Sequence, residues 1–222
     1  MDISRRQIFR LLFAAPAALL LGAAGQPAPA RRHILTKAET EALDRIDAYL
    51  NGLGTLKGDF LQVGPDGRID RGTIFLKRPG KVRFEYEPSN PVLVVANDGT
   101  VAVANRRLKT VDRYPLWQTP FDFLLADKID LRRSSAVMGA KIEPGTVTVL
   151  ARTNSGLRRP NLRFVFADPG IELRQWSVTD AQGLTTTVAL SGLTAGAALS
   201  DDLFVLPKAP KKAPAAPATP RN

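Results

Sequence analysis

The sequence of 222 residues contains no cysteine and only one histidine, His33. The absence of cysteine excludes disulfide bonds, thiol catalysis, thiolate metal sites and a lipid anchor carried on a cysteine side chain. With one histidine close to the amino terminus, the rest of the chain can form neither a Ser-His-Asp triad nor a histidine-based metal site. We therefore expect a non-enzymatic protein that needs no cofactor and no metal.

The first thirty residues predict an export signal peptide. Arg5 and Arg6 precede the uncharged segment Leu11–Ala24, which has 14 residues and is shorter than the roughly 18 to 20 of a membrane-spanning helix. A cationic start, a short apolar segment and small residues are typical of a secretory signal, and the arginine pair resembles the twin-arginine type. An ordinary secretion signal and a short membrane anchor are the alternatives. Cleavage after Ala24 or Ala30 would leave the mature protein in the periplasm.

The formal net charge of +10 is distributed unevenly along the chain. Residues 1–30 carry +2 and the tail 208–222 carries +4, which leaves +4 for the body, residues 31–207. A mildly basic body suits a protein that works near anionic membranes or acidic partners, and export makes nucleic acid an implausible partner. The tail is rich in proline, alanine and lysine, which predicts a disordered segment that either solubilises the protein or tethers it to an anionic surface.

Two segments of the body carry helix signals. Thr36 and Glu39 fit a Thr-x-x-Glu capping box. The apolar residues that follow recur at spacings of three and four, as on one face of a helix: Leu43, Ile46, Leu50 and Leu53. A second, shorter helix is predicted to start at Thr119 and Pro120, with an apolar stripe of Phe121, Leu124 and Leu125.

Elsewhere in the body the apolar residues alternate with a period of two, which predicts strands. About eleven such segments are separated by turn sequences such as GPDG at 64–67 and NDG at 97–99. Strands this close in sequence pair antiparallel, and a sheet this long must curl or split. The predicted fold class is therefore α+β, a strongly curved antiparallel sheet with a few helices covering its concave side as a lid, in a single domain.

Large apolar side chains lie on these strands and around the second helix. They either form an ordinary core or line an apolar cavity, and the residues alone leave both interpretations open. The candidate lining residues are Phe60, Ile74, Leu76, Phe84, Tyr86, Trp117, Phe121, Leu124, Leu125, Phe164, Phe166 and Trp176.

Several motifs, in order along the chain, resemble the outer-membrane lipoprotein carrier family, LolA. The segment GTIFLKRPGKVRFEY resembles the family's Lys-Arg-Pro turn between two strands, and LKGDFLQ resembles its first strand with a Phe-x-Gln signature at Phe60 and Gln62. NDGTVAV resembles its Asp-Gly turn, TPFDFLL its Thr-Pro helix start and DLFVLP its closing strand. The resemblance covers about residues 35–207.

The resemblance implies an incomplete antiparallel β-barrel with a helical lid, which binds lipoprotein acyl chains in an apolar cavity and carries them from the inner to the outer membrane. The implied partners of such a monomeric carrier are triacylated lipoproteins, an inner-membrane release complex, and an acceptor at the outer membrane or that membrane itself. Arg78 is implied as a lid latch that donates to helix carbonyls, with an exposed turn cation as the alternative, and Val82 as a partner contact. A periplasmic lipid- or lipoprotein-sensing regulator of the same fold is the competing function.

Overall fold

The structure is a computed structural model that describes residues 34–152 and 161–208. The predicted export signal with Arg5 and Arg6, and the tail beyond Lys208, lie outside these residues, so both remain predictions. The described part contains helix α1 (Lys37–Gly52), helix α2 (Phe121–Leu125) and eleven strands. The strands are β1 Thr55–Val63, β2 Ile69–Lys77, β3 Lys81–Tyr86, β4 Val92–Asn97, β5 Thr100–Asn105, β6 Thr110–Pro115, β7 Val137–Glu143, β8 Thr146–Ala151, β9 Leu162–Ala167, β10 Glu172–Thr179 and β11 Thr185–Ala195.

All eleven strands form one antiparallel sheet with the order β6-β5-β4-β3-β2-β1-β11-β10-β9-β8-β7. Within β1–β6 and within β7–β11, strands that follow each other in sequence pair with each other. The pairing of β1 with β11, where Phe60 lies opposite Leu190, joins the two halves. Strands β6 and β7 form the two edges and, in the described part of the chain, do not pair with each other. The α+β fold class with an open antiparallel sheet is therefore confirmed.

A ring contact between distant strands shows how strongly the sheet curves. Phe84 on β3 and Trp176 on β10 are four strand intervals apart, about 19 Å in a flat sheet. Their ring centroids nevertheless lie 6.0 Å apart. The inward side chains of the two halves therefore meet across the concave face.

Helix α1 starts with the capping box predicted from the sequence. The Thr36 hydroxyl accepts a hydrogen bond from the Glu39 amide at 3.2 Å, and the Glu39 carboxylate accepts one from the Thr36 amide at 2.8 Å. Leu43, Ile46 and Leu50 are buried on one helix face. Burial of each such side chain stabilises the fold by about 1.5–3 kcal/mol, so the apolar stripe holds α1 on the sheet.

The carboxy-terminal segment departs from the resemblance. DLFVLP was expected to form a closing strand, but Asp201–Phe204 form a single 3-10 turn, so this prediction was wrong. The Ser200 hydroxyl accepts a hydrogen bond from the Asp202 amide, and the Asp201 carboxylate pairs with Lys81 at 2.7 Å. Phe204 is fully buried. These anchors favour a compact turn over an added strand.

Candidate functional site

The concave face of the sheet is covered by α2 and the segment after it, and we call residues 121–131 the lid. The Phe121 ring packs against Phe84 of β3, with centroids 5.3 Å apart. The Phe123 ring stacks on Phe164 of β9 at 4.6 Å. A helix of five residues is not stable by itself, so these contacts with both halves of the sheet determine where the lid lies.

Arg78, in the turn between β2 and β3, contacts the end of α2. Its Nη2 donates to the carbonyl oxygen of Ala126 at 2.6 Å and to that of Asp127 at 3.3 Å. The amide of Gly80 donates to the Leu125 carbonyl at 2.9 Å. Carbonyls in the last turn of a helix lack partners within that helix, and a charged donor forms a stronger hydrogen bond than a neutral one. The turn thus supplies two donor groups to the lid.

The Arg78 guanidinium is only partly satisfied in this position. Its Nε and Nη1 atoms are buried without a hydrogen-bond partner among the described residues. Burial lowers the pKa of Arg78, and the nearby Asp127 carboxylate opposes that change. The group nevertheless stays charged, since the arginine guanidinium is not deprotonated in proteins. A half-buried cation with two buried, unused donor atoms weakens the closed arrangement.

Helix α1 holds the other end of the lid. Asn51 donates from its side-chain amide to the Ile129 carbonyl at 2.8 Å and accepts from the Ile129 amide at 2.9 Å. The Asp47 carboxylate accepts from the Leu131 amide at 3.1 Å. Burial is the largest cause that raises the pKa of Asp47 to about 6; the Leu131 hydrogen bond opposes it, and Asp130 adds to it. The lid is therefore tied by polar contacts at both of its ends.

The candidate lining residues lie mostly in one apolar interior between the sheet and the helices. All except Trp117 are 6% exposed or less. The ring of Phe60 lies 5.3 Å from that of Phe84 and 5.0 Å from that of Tyr86. The lid residues Phe121, Leu124 and Leu125 belong to the same buried apolar cluster as these strand residues.

Two sequence-based candidates are placed differently from the others. Trp117 lies in a 3-10 turn before α2 and is 54% exposed. Val82 points inward on β3 and is 1% exposed, so it offers no surface to a partner while the lid is closed. A role for Val82 as a partner contact stays a prediction, and it would require the lid to move.

An open pocket of about 350 Å³ lies beside the lid. Its apolar wall includes Trp117, Phe123 and Leu162, and cationic side chains such as Lys128 and Arg152 also line it. The sequence analysis did not identify this pocket, because the segment around 128–134 has no periodic pattern. The pocket lies between the lid, which contributes Phe123, and strand β9, which contributes Leu162.

A polar pair inside the interior was also missed as a functional feature. The Tyr86 hydroxyl donates to Gln62 Oε1 at 2.8 Å, and both side chains are buried. Burial raises the pKa of Tyr86. Gln62 Nε2 has no hydrogen-bond partner among the described residues. The available signal was a glutamine at an inward position of β1, between apolar residues on the same face.

The described residues hold neither a cluster of metal ligands nor a membrane-spanning helix. No group of three or more histidine, aspartate or glutamate side chains in residues 34–152 and 161–208 is arranged to hold a metal ion. In the same residues, no helix combines the length and the apolar composition needed to span a bilayer.

Comparison with known proteins gives the family. The outer-membrane lipoprotein carrier protein of Dechloromonas aromatica is 28% identical to this chain, and the match covers 75% of this chain and 84% of that protein. The outer-membrane lipoprotein carrier protein of Methylococcus capsulatus is 27% identical, and the match covers 76% of this chain and 85% of that protein. An uncharacterised conserved protein of Thermus thermophilus superposes with a TM-score of 0.48 at 12% identity, covering 78% of this chain and 96% of its own. The family described as outer membrane lipoprotein carrier protein LolA matches residues 51–207, and the chain belongs to that family.

Proposed function

We propose that this protein is a non-enzymatic periplasmic carrier, which takes lipoprotein acyl chains into its apolar interior and moves lipoproteins from the inner to the outer membrane. The observation that carries the proposal is the contact of Arg78 with the Ala126 carbonyl, which holds a lid over a continuous apolar interior. The family and its carrier relatives support the same activity.

The physical need for such a carrier follows from the cargo. Three acyl chains contain on the order of 45 methylene groups, and exposure of each to water costs roughly 0.8 kcal/mol. A triacylated lipoprotein therefore cannot cross the periplasm by free diffusion. It requires an apolar container that later releases it.

The interior can act as that container if the lid side chains and the acyl chains exchange places. Phe121, Leu124 and Leu125 occupy the interior in the closed state. When the lid lifts, acyl chains replace these side chains, and most of the apolar surface stays covered. Because the contacts are apolar and non-directional, they can accept different cargo proteins and release them.

Arg78 would control this exchange. Its contacts with the Ala126 and Asp127 carbonyls close the lid, while its unused Nε and Nη1 donors reduce the net stability of the closed state. Hydrogen bonds to charged groups contribute about 1.5–3 kcal/mol, which is small beside the burial of acyl chains. Cargo can therefore open the lid, and the empty protein can close again.

We further propose the cellular setting of this cycle. Residues 1–30, with Arg5 and Arg6, direct export, 31–207 form the carrier domain and 208–222 remain as a disordered tail. The carrier works as a monomer, receives triacylated lipoproteins from an inner-membrane release complex and delivers them to an outer-membrane acceptor or to the outer membrane itself.

Depletion of the protein in its own cells tests the proposal. The carrier function predicts that acylated outer-membrane lipoproteins accumulate at the inner membrane, while unacylated periplasmic proteins remain correctly placed. Re-expression of the wild-type chain should restore sorting. Normal lipoprotein sorting combined with an altered envelope stress response would instead favour a lipid-sensing regulator.

A further inference from the structure

The buried pair of Gln62 and Tyr86 is unusual because it leaves hydrogen-bonding capacity unused inside an apolar interior. Gln62 is 1% exposed, and its Oε1 accepts the hydrogen bond of the Tyr86 hydroxyl. Its Nε2 carries two hydrogens and has no acceptor among the described residues. Buried polar groups in native proteins are nearly always paired, so an unpaired donor calls for a specific explanation.

The pair belongs to the same surface that would contact acyl chains. Gln62 lies two residues after Phe60 on β1, so both side chains point to the concave face. The Phe60 ring contacts the rings of Tyr86 and Phe84. Gln62 Nε2 is thus a single amide donor at the edge of a set of aromatic and aliphatic side chains.

The hydrogen-bond partner of Gln62 borders an opening of the protein surface. Tyr86 also lines an open cleft of about 640 Å³ together with Pro88, Asn90 and Arg106. The cleft lies where the turns after β3 and β5 meet. Acyl chains inside the protein must be joined to a polar head that reaches water, and an outlet beside Tyr86 would serve that head.

We infer that Gln62 is a polar anchor for cargo, which donates a hydrogen bond from Nε2 to an ester or amide carbonyl oxygen where an acyl chain joins its head group. The inference rests on the proposed carrier function and adds to it the part of the ligand that is recognised. A carbonyl is an acceptor without a donor of its own, which matches an amide donor without a partner. The anchor selects acyl linkages over bare hydrocarbon of the same length.

The test compares two short lipids that differ only in their carbonyl groups. The probes are 1,2-dioctanoylglycerol, which has two ester carbonyls, and 1,2-dioctylglycerol, which has ether linkages. Each is titrated against the mature protein carrying a bound apolar fluorophore, and displacement of the fluorophore gives the affinity. Wild-type protein should bind the ester about tenfold more tightly than the ether.

Gln62→Met keeps the length of the side chain and removes the amide. This variant should bind both lipids with the same affinity, while its affinity for the ether stays within about twofold of wild type. Gln175→Met is the matched control, because Gln175 precedes the inward Trp176 on β10 and so points to the opposite face of the sheet. The control should keep the preference for the ester.

The outcomes separate this inference from the function on which it rests. Equal binding of ester and ether by wild type, or an unchanged preference in Gln62→Met, would overturn the anchor while leaving the carrier intact. Binding of neither lipid by wild type would overturn the carrier and the anchor together. Because the wild-type comparison needs no variant, the test does not depend on how well Gln62→Met folds.

The same carbonyl chemistry occurs in lipoproteins and in membrane phospholipids. To distinguish the two sources, the protein is loaded on vesicles that contain both an acylated lipoprotein and a diacyl phospholipid. The lipoprotein and the phospholipid that remain bound to it are then measured. Faster loss of lipoprotein from the Gln62→Met complex would assign the carbonyl to the lipoprotein. Loss of co-purified phospholipid alone would assign it to the phospholipid.

Discussion

Arg78 Nη2 lies 2.6 Å from the carbonyl oxygen of Ala126, although the two residues are 48 positions apart in the sequence. The hydrogen bond connects the turn between β2 and β3 to the end of the short helix α2. Because α2 is too short to be stable without its tertiary contacts, this one polar contact has a large influence on where the lid rests.

Substitution of Arg78 should loosen the lid without unfolding the sheet. In Arg78→Leu the Ala126 and Asp127 carbonyls lose their charged donor, so the lid should open more often. Hydrogen exchange of the peptide covering 119–131 should accelerate by about tenfold, while exchange in β1 and β11 stays unchanged.

Arg113→Leu is the matched control for this experiment. Arg113 also donates from Nη2 to a backbone carbonyl, that of Pro207 at 2.7 Å, but it lies away from the lid. The control should leave exchange in the lid at the wild-type rate. Equal exchange in wild type and Arg78→Leu would mean that the Arg78 contact does not restrain the lid.

The raised pKa of Asp47 predicts a pH dependence of stability. The folded state holds a proton on Asp47 up to about pH 6, whereas the unfolded chain loses it near the ordinary aspartate pKa of 3.8. Between these values the folded state binds more protons, so the contribution of Asp47 to stability decreases as pH rises and is least favourable above about pH 6.

Asp47→Asn should remove the loss of stability at higher pH, because asparagine carries no charge and its amide oxygen can still accept a hydrogen bond from the Leu131 amide. The difference in melting temperature, variant minus wild type, should be larger at about pH 7.5 than at about pH 4.5. A difference for Asp47→Asn that does not change with pH would contradict the assignment.

Gly72 permits the close packing of β2 beneath the aromatic interior. A Cβ atom there would lie 2.7 Å from Cε1 of Phe60, 2.8 Å from Cα of Tyr86 and against the backbone oxygen of Glu85. Two of these atoms belong to backbone that cannot yield easily. Gly72→Ala should therefore destabilise the protein by about 1–3 kcal/mol in urea unfolding. Gly52→Ala, where the added atom meets nothing within 4 Å, should cause no loss of stability.

The hydrogen bond between Tyr86 and Gln62 predicts a coupling between the two residues. Tyr86→Phe removes the hydrogen bond that Gln62 Oε1 accepts from the Tyr86 hydroxyl and should cost about 1–3 kcal/mol, because a buried amide is then left without that partner. Adding Gln62→Met should recover at least half of that loss, since both polar groups are then replaced by apolar ones. Additive effects of the two substitutions in urea unfolding would show that the pair is not coupled.

The strands were predictable from the sequence because alternation and turn residues are local signals. The segment LKGDFLQ, which resembles the first strand of the family, lies within β1, Thr55–Val63, and the capping box of α1 formed as expected. The 3-10 turn at Asp201–Phe204 was missed because its apolar residues mimic a strand. The ion pairs that fix it, such as that with Lys81, come from residues 120 positions away.

The site was less accessible to sequence reasoning than the fold. Alternation shows that Phe60 and Phe84 point inward, but it cannot show whether lid side chains fill the space between them. The contact of Asn51 with Ile129 spans 78 positions and leaves no local pattern. The Arg78 contact was anticipated only through the family resemblance, since a basic residue in a turn is ordinarily exposed.

Release of lipoprotein from membranes tests the central claim most directly. Inner-membrane vesicles carrying the release complex and a triacylated lipoprotein are mixed with the mature protein, and the supernatant is assayed for a one-to-one complex. The account predicts release of the acylated lipoprotein and none of its unacylated form, with Arg78→Leu still binding cargo but failing to pass it to outer membranes. No soluble complex, from vesicles that release the same lipoprotein to another carrier, would contradict it.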